Sequence, residues 1–147
     1  MSRIAVKPTL QPELFVYSFP VRVYFENTDA GGVVYHGEYL KFLERARTEW
    51  LRHLGYDHQT LARDHRSSMV VTALAIDFLR PARLDDNLAV SVRLESLGKV
   101  RCVFAQEVRR DDDVIVIARV TVASLAAESF KPVEIPAALR KKMEASL

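Results

Sequence analysis

One long run of helical periodicity, set among five runs of strand periodicity, limits what this chain can fold into. Tyr39, Leu40, Phe42, Leu43, Ala46, Trp50, Leu51 and Leu54 recur at helical spacing and stop at Gly55, a residue suited to the left-handed position past a helix end. Before that run, Val21, Val23 and Phe25 alternate with Arg22 and Tyr24, the period of two of a strand with one face on a core. After it, YDHQTLARDH reads as a short helical turn and SSMVVTALAIDFLRPARL as a strand stopped by Pro81. NLAVSVRLESLG, KVRCVFAQEVRR and VIVIARVTVASLAAE are β-branched runs separated by LGK and DDD, turn chemistry suited to antiparallel hairpins. IPAALRKKMEASL reads as a surface helix opened by Pro136.

This order predicts an α+β class in which one helix lies across one antiparallel sheet. The helix is apolar over so much of its circumference that a curved sheet enclosing it is the economical solution. An open sheet has edge strands, and pairing an edge with another copy is a common remedy, so a homodimer or larger assembly is expected. No repeat, linker or low-complexity stretch divides the 147 residues, which predicts a single domain over 1–147, with its core at about 17–130 and a C-terminal helix at about 136–146.

Charge excludes some partners. With 21 basic and 19 acidic residues the net charge is +2, too balanced for electrostatic nucleic-acid binding. The single cysteine, Cys102, has no disulfide partner and sits in a strand run, which predicts a buried, inert thiol and a cytoplasmic protein. The opening MSRIAVKPTLQPELF is interrupted by Pro8 and Pro12 and lacks the apolar centre of an export signal; no apolar run reaches membrane-spanning length. His53, His58 and His65 form no ligand pattern, so neither a metal nor another cofactor is expected.

Chemistry concentrates in NTDAGGVVYHGEYLKF, residues 27–42. Asp29 falls in a strand-to-helix loop, where a scaffold aims functional side chains; the same carboxylate also suits a turn, bonded to nearby N–H groups. Gly31 and Gly32 serve either the turn or a close approach of the backbone to a ligand. His36 falls at the first turn of the helix, whose free N–H groups suit a developing oxyanion, while its ring is a catalytic group, a cap or a packed residue. Tyr39, Phe42 and Trp50 read as core. The charges of LERARTEWLR read as a solvated face with pairs such as Glu44 with Thr48 and Arg45 with Glu49. Arg80 and Arg83 either grip phosphates or are neutralised by Asp85 and Asp86.

Residues 21–52, VRVYFENTDAGGVVYHGEYLKFLERARTEWLR, resemble the hotdog-fold thioesterases, in particular the Tol-Pal-associated, YbgC-type acyl-CoA thioesterase subgroup of the 4-hydroxybenzoyl-CoA thioesterase family. Thr-Asp, the glycine pair, Val-Val-Tyr-His, Tyr-Leu and Glu-Arg-Ala-Arg stand in register, and a looser likeness continues through DFLRPARLDD to about residue 130. The resemblance implies a five-stranded antiparallel sheet wrapped around a long helix, dimers or tetramers, and active sites at a subunit interface. It implies Asp29 as nucleophile or general base, and the backbone N–H at His36 as the group that polarises the thioester carbonyl. Gly32, Val33 and Tyr35 of the same stretch, with Arg80 and Arg83, are the expected substrate contacts. Two departures stand out: the subgroup usually has Ala-Asn where this chain has Gly37-Glu38, and an acidic residue is frequent where Asn27 stands.

The expected activity is hydrolysis of a short- to medium-chain acyl-CoA, or of an acyl carrier protein thioester. A thioester has a good leaving group, so one carboxylate and a preorganised oxyanion site suffice without a Ser-His-Asp set. The alternative is a non-catalytic or weakly catalytic scaffold, docking an acyl carrier protein or envelope partners peripherally at the inner membrane, with the basic LRKK run as its contact.

Overall fold

The computed structural model describes residues 17–147. The proline-interrupted opening stretch, read above as no export signal, lies outside these residues. Five strands form one antiparallel sheet: β1 (Tyr17–Arg22), β2 (Ser67–Phe78), β3 (Asn87–Leu97), β4 (Arg101–Arg110) and β5 (Asp113–Ala126), in the order β1-β3-β4-β5-β2. Helix α1 (Glu38–His53) lies against this sheet, α2 (His58–His65) leads into β2, and α3 (Ala137–Glu144) closes the chain. The layout is the sheet-around-helix arrangement expected of a hotdog fold.

The helix forms where its apolar stripe demands. Tyr39, Phe42, Leu43, Ala46, Trp50 and Leu51 are buried with Val90, Val92, Phe104, Val116, Val120 and Val122 from the sheet. Trp50 meets the Phe104 ring edge-on, at 5.1 Å between centroids and 83° between planes. Gly55 follows the helix at φ +89°, a conformation that strains any residue with a Cβ. Cys102 is buried among these side chains, and burial pushes its thiol pKa up to about 12, which leaves it protonated and inert at neutral pH.

Along β1 and α1 two expectations need correction. The first strand ends at Arg22, so Phe25 does not continue its alternation: it is 80% exposed, within a 3₁₀ turn from Phe25 to Asn27. The cause is Asn27, whose Oδ1 accepts the Tyr24 N–H at 2.7 Å and draws the chain out of the sheet. The charged face of α1 also differs. Glu49 pairs with Arg52 at 2.6 Å, not with Arg45. Arg47 reaches away from solvent and donates to Oε1 of Gln106 at 2.8 Å, while Nε2 of that buried amide donates to the Leu43 carbonyl at 3.1 Å.

The C-terminal helix is more deeply anchored than a surface helix, since Leu139 and Met143 are fully buried. The LRKK run is largely committed within the chain. Arg140 donates to the Gly98 carbonyl, and Lys142 donates to the Leu54 carbonyl at 2.9 Å, where a cation also suits the C-terminal end of α1. At the opposite side of the sheet, β2 is an edge strand with large apolar side chains in the open, among them Val71 (45% exposed), Leu74 (40%) and Phe78 (48%). Among the described residues no helix is long and apolar enough to cross a membrane, and no cluster of His, Cys, Asp and Glu has metal-site geometry.

Candidate active site

Between β1 and α1 the chain folds into a tight hairpin. Thr28 bridges Val34, the Asp29 N–H donates to the Val33 carbonyl at 2.9 Å, and the Gly32 N–H returns to the Asp29 carbonyl at 3.0 Å. Gly32 sits at φ +80°, which explains one glycine of the pair. Asp29 Oδ1 accepts the Gly31 N–H at 2.8 Å, so the turn-forming role is real. That bond uses only one oxygen. Among the described residues Oδ2 has no hydrogen bond and no cation, and the side chain is exposed.

A second strand of contacts fixes the hairpin to the connection between β2 and β3. Val33 bridges Arg83, and the Val34 N–H donates to the Ala82 carbonyl at 2.8 Å. That connection is itself braced by Asp86, which accepts the Arg83 N–H and an Arg110 N–H, each at 2.8 Å. Net of an opposing desolvation, these donors hold its carboxyl below the usual carboxylate range. Of the two readings open for Arg80 and Arg83, a salt bridge to Asp85 or Asp86 is not formed among the described residues, where Asp86 meets Arg110 at 2.8 Å. Arg80 lies 3.4 Å from Asp113 across the sheet end. The exposed Arg83 guanidinium has no ion pair among the described residues and stands one bridge away from the Asp29 hairpin.

The hairpin runs into α1 through His36 and Gly37. The N–H groups of both residues carry no hydrogen bond among the described residues, as the opening of a helix leaves them. The exposed His36 ring packs against Tyr35 at 4.5 Å and edge-on to Phe78 at 6.2 Å. Tyr35 in turn lies over Gly37, where an added Cβ would come within 2.8 Å of its ring. His36, Tyr39, Phe78 and Arg80 line an open cavity of about 280 Å³ at this end of the helix. The structure thus gathers Asp29, Gly32 and Val33 on one braced hairpin, sets Arg83 across a bridge from Val33, and places His36 and Arg80 around one cavity.

Reading the sequence missed one feature of the site. The two departures from the subgroup pattern touch: Asn27 Nδ2 donates to Glu38 Oε1 at 2.9 Å, and Glu38 Oε2 lies 2.9 Å from Lys41 Nζ. The Asn27 hydrogen bond, then that of Lys41, lowers the Glu38 pKa.

The thioesterase superfamily model matches residues 31–117. The chain belongs to the thioesterase superfamily. This thioesterase is 46% identical over 120 residues to the acyl-CoA thioesterase YbgC of Haemophilus influenzae, spanning 82% of this chain and 88% of that protein. It is 40% identical over 122 residues to the acyl-CoA thioester hydrolase YbgC of Escherichia coli, spanning 82% and 90%. Its fold superposes on the crystal structure of a probable thioesterase from Bartonella henselae with a TM-score of 0.79 at 36% identity, over 82% of this chain and 98% of that one. It is a thioester hydrolase of the YbgC type with a hotdog fold.

Proposed function

We propose that the thioesterase hydrolyses short- to medium-chain acyl-CoA to free acid and CoA. The observation that carries this reading is the pairing of an unpartnered carboxylate oxygen, Asp29 Oδ2, with two free N–H groups at the start of α1 on the same short loop. The N–H groups of His36 and Gly37 receive the carbonyl oxygen as it gains negative charge. Asp29 either takes a proton from water as that water attacks the carbonyl carbon, or attacks the carbon itself to give an anhydride that water opens. In both routes the carbon–sulfur bond breaks, the acid departs with the water oxygen, and CoA leaves as thiolate or, once protonated, as thiol. Arg83, exposed and unpaired beside the hairpin, suits a CoA phosphate better than Arg80, which faces Asp113.

A second copy of the chain fits along β2. Phe78 belongs both to this apolar edge and to the cavity at His36, so a partner on the edge would help to enclose the acyl group. The test is a panel of acyl-CoA and acyl carrier protein thioesters with free thiol as the readout. Release above the buffer rate for a short- or medium-chain acyl-CoA is expected. Buffer-level release across aliphatic and aromatic acyl groups would sink the proposal.

A further inference from the structure

The Asp29 hairpin and α1 meet at the site, joined along the chain by His36 and Gly37 and bridged across space by Ala82, whose carbonyl accepts the Val34 N–H and whose N–H donates to the Tyr39 hydroxyl. The hairpin closes on itself through the Thr28–Val34 bridge and the Tyr35 N–H to Asn27 carbonyl bond of 2.9 Å. The helix begins at Glu38. The Glu38 N–H donates to the Tyr35 carbonyl at 2.9 Å, a bond local to the turn. The side-chain bond across the joint runs from Asn27 Nδ2 to Glu38 Oε1, between residues only 7% and 9% exposed.

Building on the hydrolytic reading above, we infer that the Asn27–Glu38 bond is the strut that sets Asp29 against the free N–H groups of His36 and Gly37, making both residues positioning residues of the site. Three details support it. Asn27 Oδ1 accepts the Tyr24 N–H at 2.7 Å, which orients the amide with Nδ2 toward Glu38. Lys41 holds the other Glu38 oxygen at 2.9 Å, which balances its charge and restricts its rotation. The strut joins the last residue before Thr28-Asp29 to the first residue of α1, so it spans the loop that carries both candidate groups. Reacting atoms must stand roughly 3–3.5 Å apart, and a 1 Å displacement costs on the order of 10²-fold in rate.

Isosteric exchange tests this inference. Asn27→Asp turns the donor into a second carboxylate facing Glu38, and adding Glu38→Gln restores a donor and acceptor with the direction of the bond reversed. With free thiol from acyl-CoA as the readout, Asn27→Asp is expected to lower kcat by about 10²-fold while KM holds. The double variant should return to near the wild-type kcat, and Glu38→Gln alone should stay near it because an acceptor remains. A wild-type kcat in Asn27→Asp, or a double variant as slow as the single one, overturns the inference. Should Asn27→Asp melt below the assay temperature, Glu38→Ala against Glu38→Gln decides: a slow Ala and a fast Gln support the strut, and equal rates overturn it. Asp29→Asn is the control, since wild-type activity there would remove the hydrolytic reading and the strut together.

Discussion

The buried Tyr39 hydroxyl accepts the Ala82 backbone N–H at 3.2 Å, so the first turn of α1 is tied to the connection that carries Arg80 and Arg83. Tyr39→Phe keeps the ring among Phe42 and Phe78 but leaves that N–H without its acceptor. Urea unfolding should show a loss of about 1–3 kcal/mol, the range for an unsatisfied buried group. A change below about 0.5 kcal/mol would mean that the bond contributes little.

Asp29→Asn should separate chemistry from folding. Asparagine keeps an oxygen for the Gly31 N–H, so stability should change by about 1 kcal/mol or less. As neither nucleophile nor base, it should lower kcat by about 10²- to 10⁴-fold. His36→Ala should cost less, because the oxyanion contact assigned to His36 is its backbone N–H. Near wild-type hydrolysis by Asp29→Asn beside a dead His36→Ala would reverse the two roles.

Phosphate gripping divides Arg83 from Arg80. Arg83→Ala should raise KM for acyl-CoA by about tenfold, the worth of one charge-assisted hydrogen bond, with kcat little changed, the signature of lost uniform binding. Arg80→Ala should do less, because that guanidinium already faces Asp113 at 3.4 Å. Equal KM values for both variants and the wild type would make the two arginines structural.

Glu38 should leave a mark on acid stability. Its pKa lies below the usual 4.5, chiefly through the Asn27 hydrogen bond and then Lys41. An acid more readily ionised in the folded protein stabilises the fold wherever it is ionised in both states. That contribution is complete above the unfolded value and disappears as the pH falls through the lower folded one. Urea midpoints measured downward from pH 6 should therefore fall less steeply below pH 4.5 in Glu38→Gln than in the wild type. Parallel curves would show that the carboxylate contributes no such term.

Sedimentation at micromolar concentration should give at least a dimer. Val71→Lys with Leu74→Lys places charge on the exposed β2 edge and should shift the protein toward monomer with loss of hydrolysis. A wild-type monomer that is fully active would refute the shared site.

The helix and the succession of strands along the chain are legible because each rests on a local period: the apolar residues from Tyr39 to Leu54 share a face whatever lies elsewhere. Alternation carries the first strand too far, to Phe25, because it continues past the point where Asn27 captures the Tyr24 N–H. Arg47 read as solvated because its partner, Gln106, is 59 residues away and no local pattern announces it. The Asp29 stretch was legible as a site through its resemblance, whereas Asn27 and Glu38 registered as two separate departures. Only the fold reveals that they are one bond.

The single tryptophan follows a different part of the molecule from the site. Trp50 is 2% exposed, edge-on to Phe104, and its Nε1 has no hydrogen-bond partner among the described residues. An indole in that setting emits at short wavelength and reports on the contact between helix and sheet. It also stands 14 residues along the helical run from His36, about 20 Å at 1.5 Å per residue. Intrinsic fluorescence is thus a faithful gauge of unfolding for every variant above and a poor one of substrate binding, which calls for a label nearer the hairpin, at the exposed Tyr24 or Phe25.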